Sequence, residues 1–279
     1  MYMLLGAHVS IAGGFSNAPI NAQKLGCEVF QMFSRSPRGG KFIVTDNEVE
    51  KFKINFKKSG IAEFYIHSPY YINLASADNR IRHGSISTLR EELEFGSLIG
   101  AKYAMTHLGS AKDFSEKAAI KLVASGIDEI LDGYTGETQF LIEMSAGAGQ
   151  IMGDTFEEIA EIIYSTKFPE KIGICLDTCH AFSSGYDFKN KTAIDETIKK
   201  LEKNINIEKL KLFHLNDSMT PIDSHKDRHE NIGDGEIGLN GFKEILKHPK
   251  FKKINGIIET PDLKDENSKS LKLLKSLRK

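Results

Sequence analysis

Histidines and carboxylates stand at the ends of short apolar runs all along this chain. Seven runs end in this way, on His8, His67, His107, Glu143, Asp177, His214 and Glu259. Imidazole and carboxylate together suit Zn²⁺, Mn²⁺ or Fe²⁺, whereas Ca²⁺ and Mg²⁺ prefer oxygen ligands alone. If the fold brings these side chains together, they form a metal site. A pair of metals can generate hydroxide at neutral pH and hold both oxygens of a phosphoryl displacement.

The elements between these residues predict how they meet. An eighth apolar run, Val29 to Phe33, ends on Ser34-Arg35-Ser36-Pro37-Arg38. We predict helices in the segment from Asn17 to Leu25 and at 46–59, 85–99, 115–131, 154–165, 191–201, 240–246 and 265–277. Strands that alternate with helices predict a parallel sheet. Eight such units favour an α/β fold closed as a TIM (β/α)8 barrel, a single domain over 1–279, whose C-terminal strand ends form one pocket.

The composition is that of an ordinary soluble enzyme. Of the 279 residues, 40% are hydrophobic and 27% are charged, and no apolar run reaches the ~18 residues of a membrane span. No targeting segment is recognised, so we expect a cytoplasmic protein without a membrane partner. Cys27, Cys175 and Cys179 lie in or beside apolar runs, which favours buried reduced thiols. No G-x-G-x-x-G follows the first strand, so no nucleotide cofactor is expected.

The charge balance lacks the basic excess that is typical of nucleic-acid binders. The chain has 37 Lys and Arg against 38 Asp and Glu, which gives a formal net charge of −1. This balance weakens a DNA-binding interpretation but does not exclude it, because bound metal ions can supply the positive field.

Strand position suggests which residues share a metal. Glu143, midway round the barrel, is placed to bridge two ions, one of which would also take His67 and His107. The other ion would take the later strand-end residues Asp177, His214 and Glu259. A single strand-end histidine is more often a structural residue, and a lone carboxylate often caps the next helix. The recurrence at corresponding strand positions favours a shared metal site.

A second cluster follows the seventh strand. Asp227 and His229 are two apart in an extended segment, so they project to the same side and can chelate one ion. His180, from the loop after the sixth strand, is a candidate third ligand. Taken by itself, Asp-x-His is common in polar loops, but beside a two-metal site it indicates a third ion. His8 is expected to orient a ligand or to contact phosphate rather than to bind metal.

Several longer motifs, in order along the whole chain, carry a resemblance to a known family. They include Gly6-Ala7-His8-Val9-Ser10, His67-Ser68-Pro69-Tyr70-Tyr71-Ile72-Asn73-Leu74, His107-Leu108-Gly109-Ser110 and Ile142-Glu143-Met144-Ser145-Ala146-Gly147. The most specific are Asp177-Thr178-Cys179-His180-Ala181-Phe182, His214-Leu215-Asn216-Asp217-Ser218, Asp227-Arg228-His229 and Ile258-Glu259-Thr260-Pro261. On these motifs the chain resembles the endonuclease IV family, the apurinic/apyrimidinic-site deoxyribonucleases.

The resemblance implies a βα barrel with three zinc ions, with Mn²⁺ as the alternative at one position. The implied ligands are His67, His107 and Glu143 for one zinc; Glu143, Asp177, His214 and Glu259 for a second; and His180, Asp227 and His229 for a third. The implied reaction belongs to base excision repair. It hydrolyses the phosphodiester 5′ to an abasic site in double-stranded DNA and leaves a 3′-hydroxyl and a 5′-deoxyribose phosphate. Glu143 and Glu259 are the implied catalytic carboxylates, which act with a metal-bound hydroxide.

The resemblance also implies DNA contacts. Tyr70 and Tyr71 are similar to a pair that inserts at the lesion, and Arg38 is similar to an arginine that penetrates the base stack. We expect further DNA contacts from His8 and Arg228. Wedges of this kind exchange unstacking energy for contacts on kinked DNA. Adjacent tyrosines are otherwise common as half-buried loop anchors.

One loop departs from the family pattern. Gly39-Gly40-Lys41 stands where a bulky aromatic residue is expected after Arg38. This change bears on the DNA contacts of that loop and leaves the metal ligands untouched. As partner we expect double-stranded DNA with abasic sites, bound by a monomer that is cytoplasmic and associates with the nucleoid while it acts.

Two other functions compete with the nuclease. A sugar isomerase or epimerase on the same kind of barrel would explain Glu143, Asp177, His214 and Glu259, but it would give no role to the third cluster. A non-enzymatic DNA-damage binding protein would need a structural metal, and a structural zinc is usually closed by four protein ligands. Bound metal distinguishes them, since about three zinc ions per chain favour the nuclease and a single Mn²⁺ or Mg²⁺ favours the isomerase.

Overall fold

The computed structural model describes residues 2–37, 39, 42–264 and 268–278. The strands are β1 (Leu5–Val9), β2 (Val29–Phe33), β3 (Glu63–His67), β4 (Tyr103–Thr106), β5 (Gln139–Glu143), β6 (Ile172–Asp177), β7 (Leu210–His214), β8 (Asp217–Ser218), β9 (His229–Glu230) and β10 (Asn255–Ile258). The helices are α1 (Ala18–Lys24), α2 (Asp46–Ser59), α3 (Asn79–Ile99), α4 (Glu116–Leu131), α5 (Phe156–Ser165), α6 (Thr178–Ser183), α7 (Lys191–Asn204), α8 (Gly238–Lys247) and α9 (Lys269–Leu277). Short 3₁₀ turns cover Phe15–Asn17, Pro169–Lys171, Ile207–Lys209 and Pro261–Lys264.

Within these residues the long strands close into a parallel barrel, in the order β1-β10-β7-β6-β5-β4-β3-β2. β10 closes the barrel against β1, with Leu5 opposite Gly256. The α/β barrel predicted from the sequence is therefore confirmed. The predicted strand ends at 33, 67, 143, 177 and 214 coincide with the observed ends, and those at 8, 107 and 259 lie within one residue of them.

Side chains of alternating direction build the inside of the barrel. Residues two apart on a strand share a face, so each strand contributes successive layers to the interior. Buried, mainly apolar residues fill the lower interior: Val29, Tyr65, Met105, Leu141, Cys175, Leu212 and Ile257. Two residues further along the same strands come Gln31, His67, His107, Glu143, Asp177, His214 and Glu259. Together with His8 of β1, which pairs with Gln31, these residues form the polar layer at the C-terminal end of the barrel.

The intervening residues of the same strands point outward and pack against the helices. Phe30, Phe64, Phe140 and Phe213 are all buried there. Burying one such side chain contributes about 1.5–3 kcal/mol. Because apolar side chains are buried on both faces of each strand, the orientation of the strand is fixed, and so is the set of side chains that faces the C-terminal end of the barrel.

Helix starts account for most of the differences from prediction. α3 begins at Asn79, ahead of the predicted Ser85, because Asp78 Oδ1 accepts hydrogen bonds from the N–H groups of Arg80 and Ile81. α9 begins at Lys269 in the described part of the chain, and residues 265–267 of the predicted helix lie outside it. Two elements were not predicted: the short α6 and the antiparallel pair of β8 and β9.

Two further findings concern helices and cysteines. Among the helices of the described residues, none has the length and apolar character needed to span a bilayer. Cys27, Cys175 and Cys179, which are all described, are buried free thiols.

Candidate metal centre

The predicted metal ligands fall into groups whose donor atoms face one another. In the described part of the chain, the first donor group is His67, His107 and Glu143; the second is Glu143, Asp177, His214 and Glu259; and the third is His180, Asp227 and His229. The donor atoms of each group lie within 4.8 Å of one another. The structure therefore brings together all the side chains that the sequence singled out as ligands. Their binding of metal stays a prediction.

Glu143 joins the first donor group to the second. Its Oε2 lies 2.8 Å from His67 Nε2 and 3.4 Å from His107 Nε2. Its other oxygen, Oε1, lies 2.8 Å from His214 Nδ1. The side chain is fully buried at the end of β5. A carboxylate whose two oxygens face two donor groups has the geometry of a bridging ligand, as the sequence analysis proposed for this position.

Asp177 stands between the second donor group and the third. Its Oδ2 lies 3.9 Å from His214 Nδ1 and 3.6 Å from His229 Nε2. Its Oδ1 accepts from Cys179 N at 2.7 Å and from His180 N at 3.0 Å, and so caps α6. His180 therefore comes from a short helix and not from a loop, which corrects the prediction. Because the cap starts the helix at once, His180 is held close above the polar layer.

Hydrogen bonds fix the ring orientation of four histidines. A carbonyl oxygen can only accept, so each ring nitrogen that faces one carries the proton. The protonated nitrogen is Nδ1 in His67 (2.6 Å from Ser68 O), His180 (2.9 Å from Met144 O) and His229 (3.4 Å from Glu259 O). In His214 it is Nε2, 2.7 Å from Gln31 Oε1. The opposite nitrogen of each ring faces the donor group, where a neutral ring would present the lone pair that metal ligation requires.

The third donor group brings three atoms that can bind a proton or a metal ion close together. His180 Nε2 and His229 Nε2 lie 3.3 Å apart, and Asp227 Oδ1 lies 3.3 and 3.4 Å from them. With both Nδ1 atoms donating to carbonyls, these three acceptors face one another. Burial lowers the pKa of His180, but Asp177 and Asp227 outweigh it and raise the pKa to about 10. A bound proton or a metal ion satisfies this charge, and an all-nitrogen-and-oxygen donor set fits Zn²⁺.

The buried carboxylate of Glu143 is likewise stabilised by positive charge on its neighbours. Burial raises the pKa of this carboxyl, yet His107, His214 and His67 hold it well below its usual range. The carboxylate therefore stays ionised although it is fully buried. Buried anions of this kind are normally paired or bound to a metal.

Two buried amides that orient the ligands were missed by the sequence analysis. Gln31 Nε2 donates to Glu259 Oε1 at 2.7 Å, and its Oε1 faces His214. Asn216 Nδ2 donates to Asp177 Oδ2 at 2.7 Å, and its Oδ1 accepts from Glu259 N at 2.7 Å. The sequence shows Gln31 as a lone polar residue in the apolar run of β2, two residues after Val29, but its residue type alone does not indicate a role at a metal site.

The segment that carries Asp227 and His229 is anchored by Asp217. The carboxylate of Asp217 is fully buried and accepts from a ring of backbone N–H groups, those of Ser218, Gly233, Gly235, Ile237 and Gly238. A Cβ at Gly235 would come within 2.6 Å of Asp217 Oδ1, so only glycine allows this close approach. Because β8 pairs with β9 through Ser218 and His229, the anchor fixes the third donor group.

Two of the predicted DNA-contact residues, Tyr70 and Tyr71, lie beside the cleft. Tyr70 and Tyr71 are 70% and 42% exposed, and both line a cavity of about 360 Å³ together with His107 and Asp227. Tyr70 packs edge-on against Phe33, with ring centroids 5.2 Å apart. The exposure of Tyr70 differs from that of a half-buried loop anchor.

The other predicted DNA contacts lie in different positions. Arg228 is exposed, and its Nη1 donates to the backbone oxygen of Asp227 at 2.6 Å. His8 lies in the polar layer and lines the metal cleft, which has a volume of about 460 Å³. Arg38 lies outside the described residues. The DNA contacts of all these residues stay predictions.

The chain is similar to known proteins over its whole length. A family model described as a xylose isomerase-like TIM barrel matches residues 20–279. A relative from Halothermothrix orenii, named probable endonuclease 4, is 38% identical over 278 residues, which cover 99% of this chain and 100% of the relative. The crystal structure of endonuclease IV from Thermus thermophilus has a TM-score of 0.85 at 30% identity and covers 98% of both chains. A D-tagatose 3-epimerase-like protein shares the fold at 19% identity, with a TM-score of 0.76 over 99% of this chain and 97% of its own.

Fold and donor groups together define a metal-using enzyme on a TIM barrel. The relatives narrow this class, since identity of this level over full length shows common family membership. The chain belongs to the endonuclease IV family. The family predicted from the motifs is thereby confirmed, and with it the assignment to the DNA-repair endonucleases.

Proposed function

We propose that the protein hydrolyses the phosphodiester 5′ to an abasic site in double-stranded DNA, with three zinc ions, and leaves a 3′-hydroxyl and a 5′-deoxyribose phosphate. The observation that carries this proposal is the adjacency of the donor groups: Glu143 belongs to both the first and the second, and Asp177 of the second lies 3.6 Å from His229 of the third. It supports a cluster of adjacent ions rather than isolated metal sites. Adjacent ions suit phosphoryl transfer, because they can hold several oxygens of one phosphate.

Different residues of the three donor groups would have different roles in binding the ions. Each donor group would hold one Zn²⁺, and when bound the ions supply Lewis-acid stabilisation to a phosphoryl group and its leaving oxygen. Glu143 belongs to both the first and the second group, and Glu259 completes the second from the end of β10. The carbonyl and amide partners of the histidines hold the rings in place before substrate enters, which removes reorganisation from the reaction.

The rim supports a DNA substrate with a missing base. Tyr70 and Tyr71 stand exposed beside the cleft, where aromatic rings can occupy the space that a missing base leaves in the stack. Arg228, which is exposed and lies between the third-group residues Asp227 and His229 in the sequence, would bind a backbone phosphate, and Arg38 would enter the base stack. We propose that the chain acts as a monomer, as one barrel over 1–279, in the cytoplasm and at the nucleoid.

The alternative of a sugar isomerase rests on one observation. The second donor group alone matches the metal set of such enzymes, and the fold is shared with a D-tagatose 3-epimerase-like protein. That function gives no role to the third donor group, which shares its cleft with His67 and Glu259. We therefore place it second.

The proposal is tested by incision of a duplex that carries one abasic-site analogue. We expect zinc-loaded parent protein to cut 5′ to the analogue, and Glu259→Gln to lose several orders of magnitude in rate with folding retained, because a ligand of the second group is neutralised. Glu137→Gln is the matched control, since Glu137 is exposed ahead of β5 at the opposite end of the barrel.

Elemental analysis gives the second measurement. We expect about three zinc ions per parent chain, and a manganese signal would place that metal at one position. Undiminished cutting by Glu259→Gln would overturn the metal assignment. A single Mn²⁺ or Mg²⁺ per chain, with no cutting, would favour the isomerase.

A further inference from the structure

The orientation of the Gln31 amide is set by its charged neighbour. Glu259 Oε1 lies 2.7 Å from one end of the amide, and a carboxylate can only accept there, so that end is the Nε2 nitrogen. The other end, Oε1, then accepts the proton on His214 Nε2 at 2.7 Å. Gln31 is fully buried, so water does not compete for these bonds.

The second hydrogen of this amide reaches His8. Gln31 Nε2 lies 2.9 Å from His8 Nδ1. Glu259 Oε1 also lies 3.4 Å from His8 Nδ1, but the amide nitrogen is closer and only donates. His8 Nδ1 therefore accepts, and the proton of the neutral His8 ring is on Nε2. The tautomer of His8 thus follows from a series of hydrogen bonds that begins at the Glu259 carboxylate and passes through the Gln31 amide.

The Nε2–H of His8, at the far end of this series of hydrogen bonds, has no acceptor in the described part of the chain. The atom is buried and has no hydrogen-bond partner among the described residues. His8 lines the metal cleft together with His67 and Glu259, and it also lines a neighbouring cavity of about 210 Å³. A protonated ring nitrogen cannot ligate a metal. It can donate to an anion that enters the cleft.

We infer that His8 contacts the substrate phosphate, donating its Nε2–H to a non-bridging oxygen, and that Gln31 is the positioning residue that holds His8 in the donating tautomer. The inference deepens the proposed function, because the anion is the phosphodiester of that reaction. A fixed N–H donor at a charged oxygen in such a site is worth about 10²–10³ in kcat. A neutral donor adds this stabilisation without adding a charge beside the ions.

Two variants of His8 separate the loss of the Nε2–H donor from a general disturbance of the site. Asn at position 8 can still accept from Gln31 but lacks a group at the position of Nε2, whereas the longer Gln places an amide N–H near it. We expect His8→Asn to keep the zinc content of the parent and to lose about 10²-fold in kcat on the abasic duplex. His8→Gln should recover most of that loss. Loss of zinc by His8→Asn, or cutting at the parental rate, would overturn the inference.

A second measurement does not depend on nuclease activity. In zinc-loaded protein labelled with ¹⁵N-histidine, we expect His8 to show the Nε2–H tautomer and its signals to move when inorganic phosphate is added. Gln31→Leu should release the ring into a mixture of tautomers. An Nδ1–H tautomer in the parent, or no response to phosphate, would contradict the inference. A parent that shows both signals but does not cut abasic DNA would contradict only the proposed function.

Discussion

Each buried polar side chain of this site orients a charged neighbour. Asn216 is the clearest case, because its amide joins Asp177 Oδ2 to the backbone N–H of Glu259. Asn216→Leu keeps the volume and removes both hydrogen bonds. We expect the affinity of the second donor group for zinc to fall about 10–100-fold, and the free energy of unfolding to fall by about 1–3 kcal/mol as the N–H of Glu259 loses its partner. Chelator competition and urea unfolding measure the two effects, and unchanged zinc affinity would contradict this role.

The sequence revealed the members of this site whose chemistry is distinctive. A histidine or carboxylate at the end of an apolar run is unusual, so His67, Glu143 and Asp177 could be found by type alone. Gln31 could not, because glutamine is not a common metal ligand and its run continues to Phe33. Its function depends on the face of β2 that it occupies, and that becomes visible only through the register of the barrel.

At the scale of elements, Asp217 organises the connection between β7 and α8. Replacing this carboxylate with an amide would weaken all of its hydrogen bonds together, since the amide NH₂ group would face backbone N–H groups that can only donate. We expect Asp217→Asn to lower the free energy of unfolding by about 2–4 kcal/mol and to release zinc first from the third donor group. Asp234→Asn, at an exposed position of the same segment, should behave like the parent in urea unfolding and zinc titration. Equal stability of the two variants would refute the anchor.

Helices and strands long enough to show a repeating apolar pattern were predicted well, and the shortest elements were not. α3 shows apolar periodicity only from Ser85 onward, so its polar first turns were assigned to a loop. α6 spans only Thr178–Ser183, too short for any period, and it exists because Asp177 is both a helix cap and a candidate ligand. β8 and β9 are two residues each, and their pairing depends on the anchor at Asp217 rather than on strand propensity.

At the scale of the whole molecule, an ion pair joins Arg278, which follows the last helix, to Glu28, which directly precedes β2. Arg278 donates to Glu28 Oε2 at 2.6 Å and to Oε1 at 2.9 Å. Burial raises the pKa of Glu28, but Arg278 and the N–H of Leu5 lower it below its usual value. A depressed folded-state pKa stabilises the fold above the unfolded pKa, and this stability is lost as pH falls through the folded one. Glu28→Gln should therefore cost about 1 kcal/mol at pH 7, and nothing at a pH below the folded-state pKa of Glu28. A gap between the two urea midpoints that persists at low pH would argue against the pair.

The formal charge gives a second prediction at this scale. The chain carries −1, and three divalent ions would bring it to about +5, concentrated in one cleft. We expect chelator-treated protein to bind an uncut abasic duplex weakly and added zinc to restore binding, with a steep dependence on salt. Fluorescence anisotropy measures this, with an intact duplex as the control. Equal affinity with and without metal would show that the protein's own residues supply the field.

The donor groups draw on residues spread from His67 to Glu259, and this has a consequence for biosynthesis. The first group is complete once Glu143 has been made and the third once His229 has, but the second awaits Glu259, just after the strand that closes the barrel. A polypeptide still on the ribosome, or one clipped ahead of β10, lacks both the closing strand and the last ligand. If the second group holds a catalytic ion, as proposed, an unfinished copy would be unable to cut DNA before its synthesis is complete.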